Sequence, residues 1–206
     1  MPTSSSATPT STISCTIAED GSGLNLLNID VDEYNSAPPI AFPDPWLTFT
    51  NLVDSNGNAV LTTVARSANH ITVDFYDCKS KYLGYQDSSD EEFGSESVRY
   101  GQIRIPSLHN DCLTAVFPTS GTTTLTHRPC STTDDASQLS QFYQVQLTEV
   151  GYQAYYLGGT RDQSGNDQGY LYGGNEDSAP GVAYELIRDQ GVTDPVDFTA
   201  SFYLGG

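Results

Sequence analysis

The feature that most constrains this chain is that it copies part of itself. Asn58 to Cys78 reads NAVLTTVARSANHITVDFYDC, and Asn110 to Cys130 reads NDCLTAVFPTSGTTTLTHRPC. The two blocks have equal length. Aligned without gaps at an offset of 52 residues (110 minus 58), they share Asn58/Asn110, Leu61/Leu113, Thr62/Thr114, Val64/Val116, Thr72/Thr124 and Cys78/Cys130. Val60 stands where the second block has Cys112. A third, more divergent copy runs from Ala154 to Gly174 at an offset of 44 (154 minus 110), with Leu157 on Leu113 and Ser164-Gly165 on Ser120-Gly121. Each copy is followed by an aromatic residue, Tyr100, Tyr143 and Tyr184. Self-similarity with a period of about 40–50 residues demands a repeat architecture before any other fold. A unit of about four short strands cannot bury its own apolar face, but three such units can close a barrel and remove the sheet edges.

Composition points the same way. Tyr (13), Gly (18) and Thr outweigh helix formers, and Met occurs once, which favours an all-β class. With 206 residues, one domain with appendages is expected. No stretch approaches 18 consecutive apolar residues, so no membrane insertion is expected. Twenty-six acidic residues against 8 basic ones give a net charge of −18. Nucleic-acid phosphates and anionic membranes repel such a chain, so both are excluded as partners.

Four cysteines allow three pairings, and the sequence leaves the choice open. In a hairpin reading of Asn110–Cys130, a Cys112–Cys130 bridge ties the two strands across their turn. That leaves Cys15 for Cys78, whose own block has Val60 in place of a partner. Disulfides imply an oxidising compartment. The chain opens Met1-Pro2-Thr3-Ser4 with no apolar leader, so the expectation is a mature secreted form carrying a start Met. No Asn-x-Ser/Thr sequon is present.

Residues 1–45 read as an extended N-terminal arm. The first dozen are rich in Ser, Thr and Pro. Ser14–Ile17 and Leu24–Val31 are strand candidates. Pro38, Pro39, Pro43 and Pro45 then exclude helix and central strand and suggest a connector pinned by Phe42 and Trp46. Residues 46–188 hold the three repeats. Alternation begins at Trp46, Asp54-Ser55-Asn56-Gly57 signals a turn, and an acidic insert follows between Asp87 and Glu96. That insert lacks the ligand spacing and turn glycine of a calcium loop. The second repeat is expected to start on the alternating run Gly101–Ile105, and the third at Gln144. Residues 189–206 end in the alternating run Val196–Leu204, a strand too apolar to stand exposed and so expected to pack on the domain, paired with the N-terminal segment.

The block from Cys112-Leu113 through the Ser120-Gly121 turn and Cys130 to Gln141-Phe142-Tyr143 resembles one repeat of the ricin-type β-trefoil lectin family. Members carry Cys-Leu, a Gly turn, a second Cys and a Gln-x-Trp ending. The resemblance covers about two thirds of the chain and implies a divergent, ricin B-like β-trefoil with an added N-terminal arm and C-terminal strand. It also implies a secreted carbohydrate-binding protein without catalysis, whose partners are glycans or a glycosylated surface.

Sugar binding needs a carboxylate or amide that forks onto adjacent hydroxyls, with an aromatic face for the C–H side of the ring. The Asp that follows Cys-Leu in the family is replaced here by Thr62, Thr114 and Gly158. The aromatic two residues before the second Cys is matched by Tyr76, Arg128 and Tyr172. The expected carbohydrate site is therefore displaced: Asp162, Tyr172 and Asn175 in the third repeat, and Tyr76 with Asp74 or Asp77 in the first. His70, His109 and His127 share no metal-ligand spacing, so neither a metal nor any other cofactor is expected. No Gly-x-Ser-x-Gly motif is present, and no enzyme activity is expected. The rival expectation is a trefoil inhibitor that presents exposed loops to a protease or other hydrolase.

Overall fold

The computed structural model describes residues 11–18, 21–30, 46–64, 71–85, 98–116, 122–148, 151–158, 171–174, 181–188 and 200–205. The fold is all-β. Its strands are β1 (Ser14–Ile17), β2 (Leu24–Asp30), β3 (Trp46–Val53), β4 (Ala59–Val64), β5 (Thr72–Lys79), β6 (Val98–Ile105), β7 (Asp111–Val116), β8 (Thr122–Arg128), β9 (Tyr143–Thr148), β10 (Gly151–Leu157), β11 (Leu171–Gly174), β12 (Glu185–Arg188) and β13 (Ala200–Gly205). Among the described residues two short 3₁₀ turns, η1 (Pro106–Leu108) and η2 (Ala136–Ser140), interrupt the strand run.

Six strands close a ring in which every neighbour is antiparallel. β2 pairs with β5, β5 with β6, β6 with β9, β9 with β10, β10 with β13, and β13 returns to β2. Six of the remaining seven strands form three hairpins, β3–β4, β7–β8 and β11–β12, and β1 pairs with β5. Each hairpin continues from a ring strand: β2 pairs with β3, β6 with β7 and β10 with β11. The hairpins also meet one another. β8 pairs with β12, Thr62 bridges Ala183, and the Thr126 hydroxyl donates to the Ala59 carbonyl at 2.7 Å. One succession thus occurs three times along the chain: ring strand, hairpin, ring strand.

Alternation places the core. Leu24 and Leu26, Val73 and Phe75, Ile103 and Ile105, Tyr143 and Val145, Ala154 and Tyr156, and Leu204 come from the ring. They share one cluster with Leu47, Leu61, Leu113, Ala115, Leu125, Tyr184 and Leu186 from the hairpin layer. Period-two side chains make this possible, because every second residue of a strand faces inward. A second cluster covers the outer face of the ring wall and joins Ile13, Cys78, Leu83, Tyr85, Val98, Tyr100, Phe142 and Leu157. Tyr85 stacks there on Tyr100 at 4.5 Å and on Phe142 at 5.8 Å between centroids. Asp134 locks the turn that carries Leu83, accepting from the Ser80 hydroxyl at 2.5 Å and from the Lys81 N–H at 2.9 Å.

Both expected disulfides form. Cys15 and Cys78 stand directly opposite each other in the β1–β5 pair, and Cys112–Cys130 fastens the end of β8 to the start of β7. Two disulfides and no free cysteine fit an oxidising, extracellular-type environment. Among the described residues no helix is long and apolar enough to cross a membrane.

The repeat units differ from the sequence alignment in one respect. Leu61, Leu113 and Leu157 are all buried, but Leu61 is on the second strand of a hairpin, Leu113 on the first, and Leu157 on a ring strand. The Asn58–Cys78 block is likewise not a hairpin, because β4 pairs with β3, and β5 pairs with β1, β2 and β6. Alternation has period two, so an alignment displaced by a whole strand can still set buried apolar positions on one another. Strand β2, within the 1–45 segment expected as an arm, belongs to the ring. So does β13, in the 189–206 segment, which pairs with both β2 and β10. The proline connector and the acidic insert lie outside the described residues.

Candidate functional site

Of the expected carbohydrate contacts, the structure describes Tyr76 and the backbone of Tyr172, which lie on different strands. Tyr172 is on hairpin strand β11, its backbone paired with Tyr156 and Arg188. Its side chain, together with Asp162 and Asn175, lies outside the described residues. Tyr76 is on ring strand β5, half-buried, opposite Gln102 of β6 and Ile17 of β1. Tyr76, Arg128 and Tyr172, which share one alignment column, occupy a ring strand and the two different strands of hairpins.

The surroundings of Tyr76 follow from strand parity. Phe75, Ile103 and Ile105 face the ring core, so Asp74, Tyr76, Gln102 and Arg104 share the outer face. The Arg104 guanidinium lies over the Tyr76 ring, 4.0 Å from its centroid. Its Nε and Nη2 both donate to Gln102 Oε1, at 3.3 and 2.9 Å. Gln102 is itself fully buried and fixed, its Nε2 donating to the Ser131 carbonyl at 3.2 Å and to Gln138 Oε1 at 2.9 Å. Gln138 Nε2 completes the chain on the Ser131 and Thr133 carbonyls, at 3.0 and 2.7 Å. Burial pulls the guanidinium below its usual value, while the neighbouring Tyr76 phenol works in the opposite direction. Asp74 stands directly across from Arg104, yet its Oδ1 accepts from the Gly23 N–H at 2.8 Å. Gly101 allows this close approach of β5 and β6, because a Cβ there would overlap the Tyr76 carbonyl oxygen.

A second polar cluster lies in the hairpin layer and was not anticipated as a site. His127 Nδ1 of β8 is within hydrogen-bond distance of Asp111 Oδ2 of β7, at 2.8 Å, along the diagonal of the hairpin. The imidazole also meets the Phe49 ring edge-on, at 4.9 Å between centroids. An aromatic, an imidazole and a carboxylate from two hairpins thus converge, all partly exposed. The sequence signal is that Asp111 and His127 each lie within three residues of a cysteine of the Cys112–Cys130 hairpin. The partnership needs the register, and the contact with Phe49 needs the packing of β3 against β8.

Among the described residues no group of three or more His, Cys, Asp or Glu side chains is placed to hold a metal ion. Both clusters present fixed hydrogen-bonding groups beside a ring, an arrangement suited to recognising a polar ligand by contact. Comparison with protein-family models, with curated proteins and with solved structures finds no match for the chain.

Proposed function

We propose that this chain is a β-trefoil of the ricin B-like kind, secreted, which binds glycans without catalysing a reaction. The observation that carries the reading is the threefold succession of ring strand, hairpin and ring strand, which closes a six-membered ring beneath three mutually paired hairpins. A β-trefoil is built in this way. The Gln-x-aromatic unit adds to it: Gln141 is buried, its Oε1 accepts from the Ser131 N–H at 2.8 Å, and its Nε2 donates to Thr114 Oγ1 and the Pro129 carbonyl at 3.1 and 3.2 Å. The motif that carries the resemblance thus clamps the end of its repeat to β7.

The ligand contacts proposed on this scaffold are Asp162, Tyr172 and Asn175 from the third repeat and Tyr76 from the first. One ring with one or two polar groups should bind a monosaccharide on the order of millimolar, about −4 kcal/mol. Useful avidity then comes from several sites on a polymeric glycan. The test is a glycan array with the purified protein and Tyr172→Ala. Retention of a defined glycan class, reduced in the variant, supports the reading. A wild-type protein that retains no glycan refutes it, and unchanged retention by the variant removes the third-repeat site.

A second reading, a trefoil inhibitor of a hydrolase, is favoured by the tip of the β3–β4 hairpin. Leu52 and Val53 are 39% and 54% exposed there. Beside them Asp54 rigidifies the turn by accepting from the Asn56 and Asn58 N–H groups, each at 2.8 Å. A stiff loop with exposed apolar residues suits insertion into a cleft. Inhibition of any member of a protease and glycosidase panel, lost on Val53→Asp, supports it, and a silent panel refutes it.

A further inference from the structure

We infer that the outer face of β5–β6 is a binding site for oxyanion-bearing glycans, with Arg104 gripping the carboxylate or sulfate. The inference rests on the glycan reading and narrows it to a ligand class.

Arg104 carries a charge that forms no ion pair with any described carboxylate. Acidic residues outnumber basic ones 26 to 8, so a cation without a carboxylate partner is unexpected in this chain. Arg104 is nevertheless half-buried and makes no ion pair among the described residues. Its cross-strand neighbour Asp74 is turned to the Gly23 amide instead. A partly desolvated charge is costly unless hydrogen-bonded and balanced. Two of the five guanidinium N–H groups are used on Gln102. The Tyr76 hydroxyl is a further hydrogen-bond partner; the remaining N–H groups are left for a ligand, and a planar guanidinium matches the geometry of an oxyanion.

Orientation is prepared in advance. The acceptor that aims the guanidinium, Gln102 Oε1, belongs to a buried amide held by Ser131 and Gln138, and Gln138 is held in turn by Ser131 and Thr133. The Tyr76 ring supports the guanidinium from one side. Ordering an arginine on binding has an entropic cost, and a pre-ordered one avoids most of it. The background charge of −18 opposes a distant anion, so recognition acts only at contact. At physiological ionic strength the screening length is about 8 Å, which confines that opposition to short range.

Titration calorimetry at about 0.15 M salt tests the inference with three probes: an oligogalacturonate, its methyl ester and a sulfated galactan oligomer. The ester keeps the sugar and removes the charge. The wild-type protein should bind at least one oxyanion probe ~10-fold or more tighter than the ester, the scale of a charge-assisted contact. Whichever oxyanion is preferred names the group recognised. Arg104→Gln should erase the preference. Asp74→Asn retains an acceptor for Gly23 while removing a facing negative charge, and should tighten binding of the acid but not of the ester. Equal binding of both acids and the ester overturns the inference and leaves the glycan reading standing, as does a preference that survives Arg104→Gln. Should that variant fail to fold, the acid-to-ester comparison on the wild-type protein and Asp74→Asn still decides. Absence of binding to all three probes, with a blank glycan array, overturns both.

Discussion

Replacing Gln141 with glutamate should destabilise the protein more than replacing it with alanine, and only the glutamate penalty should depend on pH. Gln141 is 4% exposed and every polar atom of its amide is used: Oε1 by the Ser131 N–H, Nε2 by Thr114 Oγ1 and the Pro129 carbonyl. Alanine removes three bonds of about 1 kcal/mol each, so a loss of about 2–3 kcal/mol is expected. Glutamate keeps the Ser131 bond but turns its second oxygen toward two acceptors. Thr114 cannot rotate to help without cost, because its hydroxyl already donates to the Cys112 carbonyl at 2.9 Å. A buried carboxylate facing lone pairs raises the total to about 4–5 kcal/mol at neutral pH. The excess over alanine belongs to the charged form alone, so burial against two acceptors raises the introduced carboxyl's folded-state pKa above its unfolded value. The native state then binds more protons than the unfolded state between those values, so the variant's stability falls as pH rises through that window and is flat above it. Urea titrations of the wild type, Gln141→Ala and Gln141→Glu at pH 7 and pH 4.5 give the three differences. Equal losses for the two variants at pH 7, or an excess that does not shrink at the lower pH, would refute the clamp.

Gly101→Ala should cost about 3 kcal/mol or more in the same assay, because the new Cβ meets backbone of β5 that cannot rotate away. Cys15→Ser combined with Cys78→Ser opens a bridge of sequence separation 63 and should remove about 4 kcal/mol, on the chain-entropy account; a loss below about 1 kcal/mol would contradict that account. EDTA should leave the melting temperature unchanged, and a clear fall would direct attention to the acidic insert at Asp87–Glu96.

Much of the local structure could be read from the chain alone. Alternation marked Ser14–Ile17 and Leu24 onward as strands, Asp54-Ser55-Asn56-Gly57 as a turn, and the three aligned leucines as buried. Hairpin logic on the second block, with Val60 leaving Cys78 unmatched, led to the observed disulfides. These are short-range or elimination arguments, and period-two chemistry is sufficient for them. The same chemistry could not say which strand of one repeat corresponds to which strand of another, since moving by a whole strand can keep the pattern of buried side chains. Only the long-range pairs settle that: β13 with β2 across nearly the whole chain, and β2 with β5 across the proline connector. The candidate sites divide in the same way. Tyr76 was recognisable as an aromatic at a strand position, but Arg104 in the run Gly101–Ile105 is one polar residue among several. Its significance comes from Asp74 turning to Gly23, from Gln102 being held by a loop about thirty residues further on, and from Gly101 letting β5 and β6 close together. Residue type and alternation determine which side chains face outward, whereas the partner each one meets, or lacks, is decided by strand register and ring closure between segments far apart in the chain.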